Sequence, residues 1–204
     1  MHFLDFKKQF ENYPIFSTRE IKKIFPEWNK MNLRNWQQKN YILKLRNNWY
    51  AFTDKSIDEH FLFYIANKIY SPSYISMDTA LYHYGFIPEA VFSIQSVSTL
   101  KTMNFSNKYG HFYYSNIKKD NFFGYKLLTE NNITVKIADV EKAVLDFLYL
   151  RKDIKRPEDI KSLRFNIDEI KKQIDFDKII KYADILNSKI LNKKLNYLFK
   201  IINA

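Results

Sequence analysis

The stretch LRNWQQKNYILKLRNNWYAF, from Leu33 to Phe52, most constrains the fold, because its hydrophobic spacing changes from helical to alternating within one short run. Its first part continues a helix predicted at about residues 30–39, with Leu33 and Trp36 on one side. The opposite side of that helix carries a largely polar and basic set, namely Lys30, Met31, Arg34, Asn35 and Gln38. One face of this helix is therefore suited to a core, and the other is free to meet a ligand.

The second part of the stretch predicts a β-hairpin. Tyr41–Arg46 and Trp49–Thr53 read as two strands, and Asn47 and Asn48 between them tolerate the positive φ that a two-residue turn needs. In that register one face is apolar and holds Tyr41, Leu43, Leu45, Tyr50 and Phe52. The other face is half basic and holds Ile42, Lys44, Arg46, Trp49 and Thr53.

Two further helices are predicted upstream of this stretch. The first covers about Phe3–Phe10. The second begins at Ser17, which forms a capping box with Glu20 three residues later, and it stops before Pro26. Residues 1–54 therefore contain three helices followed by a hairpin.

Three helices followed by a hairpin is the order of a winged helix-turn-helix, in which the last helix enters the DNA major groove and the hairpin lies along the backbone. The outward side chains of that helix would face base edges, since Arg, Asn and Gln make bidentate contacts to guanine and adenine; they are Lys30, Arg34, Asn35 and Gln38. Phosphate contacts are expected from Arg19, Lys44, Arg46 and Asn48. The alternative is the same fold used only for contact with another protein.

The rest of the chain, residues 55–204, changes character. Alternating β-branched and aromatic residues from about 92 to 137 predict three to five strands. Capping signals predict helices on both sides of this segment, starting near Ser56, Ser76 and Asp139. Two or three more helices finish the chain, the last at about Lys189–Ile202. The expected fold class is therefore α+β, with a winged helix-turn-helix over 1–54 and a mixed α/β domain with C-terminal helices over 55–204.

The net charge of the chain is +11, and the charged residues are distributed unevenly along it. Residues 1–54 hold 10 Lys and Arg against 5 Asp and Glu, residues 55–150 hold 9 against 9, and residues 151–204 hold 14 against 8. Two basic ends permit binding to nucleic acid, although lysine and asparagine enrichment from an AT-rich coding sequence would produce the same count. The last helix keeps Lys189, Lys193 and Lys200 off its apolar stripe. These lysines would contact the DNA backbone or a neighbouring copy of the protein on the operator, or would simply be solvated.

Several classes of function lack their sequence signals. The chain has no cysteine, so disulfides and thiolate metal sites are excluded, and its three glycines form no phosphate-cradling loop. The four histidines have no metal-binding spacing. Glu141 and Asp146 lie on different sides of one predicted helix, so they do not form a pair of catalytic carboxylates. We expect no catalytic residue, no metal and no cofactor. The lack of a long apolar run or a signal peptide predicts a cytoplasmic protein without a membrane segment.

Two segments resemble the AbiEi family, the antitoxins of type IV (AbiE) toxin–antitoxin systems. ANKIYSPSYISMDTALYHYGFIPE, at 66–89, is similar to a family signature through Ala66, Pro72, Ser73, Tyr74, Ser76, Ala80, Leu81 and Gly85. IADVEKAVLDFLYLR, at 137–151, is similar to a later signature through Glu141, Lys142, Ala143, Leu145, Asp146 and Tyr149. The RNNWYAF hairpin also resembles the family's winged helix, with Asn40 and Asn47 or Asn48 where the family commonly has glycine. The resemblance spans about residues 15–165.

The resemblance implies an autorepressor and antitoxin. Its winged helix would bind double-stranded operator DNA in its own promoter, and copies of the chain would cooperate there. Its second domain would counter a cognate nucleotidyltransferase-like toxin, and the sequence leaves open whether the two proteins touch. The alternatives are a winged-helix regulator whose second domain senses a small ligand, and an enzyme of nucleic-acid metabolism.

Overall fold

The computed structural model describes residues 2–89 and 92–203. Over these residues the chain forms ten α-helices, one short 3₁₀-helix and nine β-strands arranged in two sheets. The mixed α+β class expected from the sequence is therefore confirmed. Among the same residues, no helix is long and apolar enough to cross a membrane.

The N-terminal region, residues 2–54, folds around a small three-stranded sheet. Its elements are α1 (Phe3–Phe10), β1 (Phe16–Ser17), α2 (Thr18–Ile24), α3 (Lys30–Gln38), β2 (Ile42–Arg46) and β3 (Trp49–Phe52). The strand order is β1-β3-β2, and both pairings are antiparallel. The core of this region is largely aromatic, with side chains that are almost fully buried: Phe6, Phe10, Phe16, Trp36, Tyr50 and Phe52.

The C-terminal region, residues 55–89 and 92–203, contains a six-stranded sheet and seven α-helices among its described residues. Its first half holds α4 (Glu59–Ile69), β4 (Ser73–Ile75), α5 (Met77–His83), β5 (Ser93–Ser98), β6 (Met103–Asn107), β7 (Gly110–Asn116), the 3₁₀-helix (Lys119–Asn121), β8 (Tyr125–Glu130) and β9 (Ile133–Ala138). Five helices follow: α6 (Val140–Leu150), α7 (Pro157–Lys161), α8 (Ile167–Gln173), α9 (Phe176–Leu186) and α10 (Lys189–Ile202). The strand order is β6-β7-β5-β4-β9-β8, with β4–β9 and β5–β7 parallel and the other pairs antiparallel.

The six-stranded sheet lies between α4 and α6. The Tyr114 hydroxyl of β7 donates a hydrogen bond to the Ala66 carbonyl of α4 at 2.9 Å. The Tyr74 hydroxyl of β4 instead donates to the carboxylate of Asp146 on α6 at 2.8 Å. Tyr114 is in register with Ser96 and, through it, with Ile75, which is next to Tyr74. Since side chains alternate between the two faces of a sheet, Tyr114 and Tyr74 lie on opposite faces. Helices α4 and α6 therefore cover opposite faces, and the core of the C-terminal region has two layers.

The β2–β3 hairpin connects the two cores. Ile42, Tyr50 and Phe52 lie in the aromatic core of the N-terminal region. Leu45 and Ala51, on the other side of the hairpin, are buried in the core of the C-terminal region. The hairpin is therefore packed on both faces, and the two regions share it.

The face assignment predicted for β2 is wrong. Ile42 pairs with Phe52 and Lys44 pairs with Tyr50, but the register then shifts, so that Arg46 pairs with Trp49. This bulge places one more residue in β2 than in β3. Ile42, rather than Leu43 and Leu45, therefore shares the core face with Tyr50 and Phe52.

Local capping signals were predicted with mixed success. The Ser17–Glu20 capping box and the Asp139 cap of α6 are both confirmed. The cap predicted at Ser56 is wrong, because α4 begins at Glu59 and its N-cap is Asp58. The sequence also missed β4, and it predicted two or three helices after α6 where the structure has four.

Candidate nucleic-acid interface

Helix α3 holds the outward face predicted for DNA contact. Asn29 caps the helix by accepting a hydrogen bond from the Met31 amide at 2.8 Å. Leu33 and Trp36 are buried against the aromatic core, as predicted. Because helical residues repeat about every 3.6 positions, burial of these two side chains turns the opposite face to solvent.

The four predicted base-reading residues are all exposed on that face: Lys30, Arg34, Asn35 and Gln38. Within the described residues, none of the four side chains takes part in an ion pair or a hydrogen bond to another residue, so their charges and amide groups are available to a partner. Met31, which is 53% exposed, adds an apolar patch beside them.

A basic cleft of about 510 Å³ lies where α2 meets the segment leading into α3. Its lining includes three cationic side chains and no carboxylate: Arg19, Lys22 and Lys30, with Thr18, Pro26 and Trp28 between them. Sequence reasoning missed Lys22. Its position three residues after Arg19 was the available signal, since residues three apart share a helix face. Three cations around one concave surface are suited to a phosphate group.

The β2–β3 hairpin presents two of its three predicted phosphate contacts to solvent. Lys44 and Asn48 are exposed. Asn48 also has a φ of 68°, and Asn40 a φ of 54°, so asparagine adopts the left-handed conformation predicted at both turns.

Arg46 is occupied within the protein. Its Nη1 donates a hydrogen bond to the Ile69 carbonyl at 2.9 Å. Its guanidinium carbon lies 4.6 Å from the centre of the Tyr70 ring and 5.1 Å from that of Phe105. Because all three partners belong to the C-terminal region, Arg46 fixes the hairpin to that region rather than facing outward as predicted.

A buried polar network lies at the centre of the C-terminal region. The carboxylate of Asp146 accepts hydrogen bonds from the Tyr74 hydroxyl at 2.8 Å and the Ser76 hydroxyl at 2.9 Å, and it pairs with the ammonium group of Lys142. The side chains of Lys142 and Asp146 are both 0% exposed. Burial raises the pKa of Asp146, while Lys142 and the two hydroxyls favour its charged form.

This network joins the two segments that carry the family resemblance. Tyr74 and Ser76 come from the first segment, and Lys142 and Asp146 from the second. Sequence reasoning read Ser76 as a helix cap, but its hydroxyl donates to Asp146 and makes no cap bond. With every ionised group enclosed, the arrangement is a structural unit rather than a surface for a ligand.

A second ionic cluster anchors α9 to the start of α6. Lys178 contacts Glu141 at 2.7 Å and Asp139 at 3.1 Å. Burial opposes its charge, but the hydrogen bonds that it donates to the two carboxylates prevail and raise the pKa of Lys178. Glu141 also accepts from the Asp175 amide at 3.0 Å. Over the described residues, no group of three His, Asp or Glu side chains is arranged to hold a metal ion.

No protein-family model matches the chain, and no curated protein matches it either.

Proposed function

We propose that the N-terminal region is a winged helix-turn-helix that binds double-stranded DNA, and that the protein represses its own promoter. The observation that carries this proposal is the solvent-facing side of α3, whose cations and amides have no partners within the described part of the chain. Helix α3 would enter the major groove and the β2–β3 hairpin would follow the backbone.

The residues divide into two roles under this proposal. Arg34, Asn35 and Gln38 would read base edges, because their planar groups match the donor and acceptor pattern of the major groove. Lys44 and the cleft formed by Arg19, Lys22 and Lys30 would hold phosphates. Arg46 is a positioning residue, since it holds the hairpin in place through Tyr70 and Phe105.

The antitoxin part of the proposal rests on the resemblance to the AbiEi family. The C-terminal region would counter a nucleotidyltransferase-like toxin. The matched residues that form the buried network are not accessible to a partner, so toxin neutralisation would depend on exposed residues outside that network.

The test of DNA binding is titration of DNA from upstream of the protein's own coding sequence, using the full chain. Arg34→Gln with Lys44→Gln should lower the affinity at least tenfold, since a base contact and a phosphate contact are both lost. Lys181→Gln, an exposed lysine on α9, is the matched control and should bind as the parent does. Equal binding by the double variant and the parent would contradict the docking.

The antitoxin role is tested by expressing the chain together with its neighbouring gene, which this proposal expects to encode a nucleotidyltransferase-like toxin. Rescue of growth by the Arg34→Gln, Lys44→Gln variant, without repression, would separate the two activities. Growth arrest that the parent chain does not relieve would remove the antitoxin part and leave the repressor part standing.

A further inference from the structure

A second basic cleft lies between the two regions of the molecule. The turns of the β2–β3 and β6–β7 hairpins border a space of about 420 Å³. Its lining contains three cations and no carboxylate: Lys44, Leu45, Arg46 and Asn47 from the first hairpin, and Phe105, Ser106, Asn107 and Lys108 from the second. The concave surface is therefore positively charged, and both regions contribute to it.

Asn107 holds the two hairpins together. Its Nδ2 donates a hydrogen bond to the Leu45 carbonyl at 3.0 Å, across the boundary between the regions. Its Oδ1 accepts from the Tyr109 amide at 2.8 Å, which orders the β6–β7 turn. Arg46 packs over Phe105 at the floor of the same cleft. The turn that carries Lys108 is thus fixed beside the β2–β3 hairpin.

The free charges of the cleft are at its rim. Lys44 and Lys108 are exposed, and neither forms an ion pair among the described residues. Arg46 is hydrogen-bonded within the protein, but it still adds a positive charge to the cleft that Lys44 and Lys108 border. Two exposed ammonium groups on adjoining turns, with the Asn47 amide and the Ser106 hydroxyl between them, are chemically suited to oxygen atoms of a phosphodiester.

We infer that the β6–β7 hairpin is a second part of the DNA-binding surface, with Lys108 contacting a backbone phosphate beside the one that Lys44 contacts. This inference rests on the proposed function. It adds a contact from the six-stranded sheet of the C-terminal region, where sequence reasoning placed none of its predicted DNA contacts. A helix in the groove and two adjoining turns on the backbone would then hold the duplex at three places, which fixes its orientation on the protein.

The experiment measures operator affinity of the full chain against salt concentration. Lys108→Gln should weaken binding roughly threefold to tenfold near 0.1 M salt and should reduce the slope of log K against log salt by roughly 1. Lys108→Arg keeps the charge and should bind nearly as the parent does. Lys119→Gln is the matched control: Lys119 is also exposed, but it lies beyond the far end of β7, which at about 3.3 Å per residue is about 20 Å away.

The outcomes separate this inference from the proposed function. If the parent does not bind DNA at all, the proposed function fails. If Arg34→Gln weakens binding while Lys108→Gln keeps the parent's affinity and salt slope, the proposed function stands and the inference is overturned. An equal decrease for Lys108→Gln and Lys119→Gln also overturns it, because that result reflects net charge alone. Unchanged circular dichroism and thermal unfolding of each variant show that the effect is not a loss of fold.

Discussion

Helices α3 and α6 both carry basic residues, and they hold them in opposite ways. On α3, Lys30 and Arg34 lie off the apolar side, are exposed and have no partner within the described residues. On α6, Lys142 lies on the buried side and pairs with Asp146 where no water reaches. The same type of charge is a candidate binding group in one helix and a part of the core in the other. Net charge therefore says little about which cations can meet a ligand, because availability depends on pairing and burial.

The basic C-terminal helices show the same distinction within a single element. On α10, Lys193 is exposed, whereas its neighbour Lys194 is 5% exposed. The Lys194 ammonium donates to the carbonyls of Leu148 and Arg151, at 2.8 and 2.6 Å, at the end of α6. A cation at the C-terminal end of a helix is favoured by the helix dipole. Lys189, Lys193 and Lys200 are exposed. Whether they contact the DNA backbone, a neighbouring copy of the protein or only solvent is untested, and each stays a prediction.

The largest expected effect is on stability and comes from α6. Lys142→Met should reduce the free energy of unfolding by about 3–5 kcal/mol, because it leaves Asp146 charged or forces its protonation in a dry site. Arg34→Met on α3 should change it by less than about 0.5 kcal/mol. Chemical denaturation of both variants measures the contrast. If both variants lose similarly little unfolding free energy, Asp146 does not need the Lys142 ammonium to compensate for its burial.

The double variant Lys142→Met with Asp146→Leu sharpens this test. Replacing both members of a buried pair with apolar residues is often close to neutral. The double variant should therefore recover much of the stability lost by Lys142→Met, less the cost of leaving the hydroxyls of Tyr74 and Ser76 without their acceptor. A double variant less stable than either single one would show that the pair contributes net stability.

The next effect compares adjacent lysines on α10. Lys194→Met removes two charge-assisted hydrogen bonds to the carbonyls of Leu148 and Arg151 and should cost about 1–3 kcal/mol of unfolding free energy. Lys193→Met, one residue away and exposed, should cost less than about 0.5 kcal/mol. Thermal unfolding of the pair checks the difference. Equal midpoints would contradict the cap at the end of α6.

A third prediction separates two kinds of contact in the proposed DNA interface. Gln38→Ala should cost on the order of 1–3 kcal/mol of binding free energy at one base position. Lys44→Ala should weaken binding to every sequence and lower the salt slope by roughly 1. Titration against a set of single-base operator variants distinguishes them. If Gln38→Ala weakens all sequences equally, its side chain does not read a base.

The smallest effect is a local titration at the end of α6. Hydrogen bonds from Arg151 lower the pKa of Asp153 to about 2. Because the folded-state pKa lies below the unfolded one, this pair stabilises the fold above about pH 4, and that contribution is lost as pH falls towards 2. The carboxylate is largely exposed, so less than about 1 kcal/mol is involved. NMR titration should find the pKa of Asp153 returned towards about 3.9 in Arg151→Gln. An unchanged pKa in that variant would rule out Arg151 as the cause.

Local signals in the sequence predicted much of the N-terminal region. The bounds of α1, the Ser17–Glu20 capping box and the buried pair Leu33 and Trp36 follow from contacts within a few residues, and all are confirmed. Seven of the eight predicted DNA-contact residues are exposed. Their role in DNA binding stays a prediction.

What the sequence could not provide depends on contacts between distant residues. The bulge in β2 turns Leu45 towards the core of the C-terminal region. The alternation of apolar and polar residues alone does not predict this bulge. The local sequence around Arg46 predicts an exposed cation, and only the fold places Tyr70 and Phe105 beside it. Lys142 and Asp146 sit four apart on α6, but their burial depends on Tyr74 and Ser76 from about seventy residues earlier.

The shared β2–β3 hairpin has a consequence for how the protein unfolds. Each face of the hairpin closes a different core, so opening either core removes one wall of the other. The two regions are then expected to melt in a single cooperative transition rather than one after the other. Mechanical or ligand-induced changes in the C-terminal region would reach Lys44 through the backbone of the same strand.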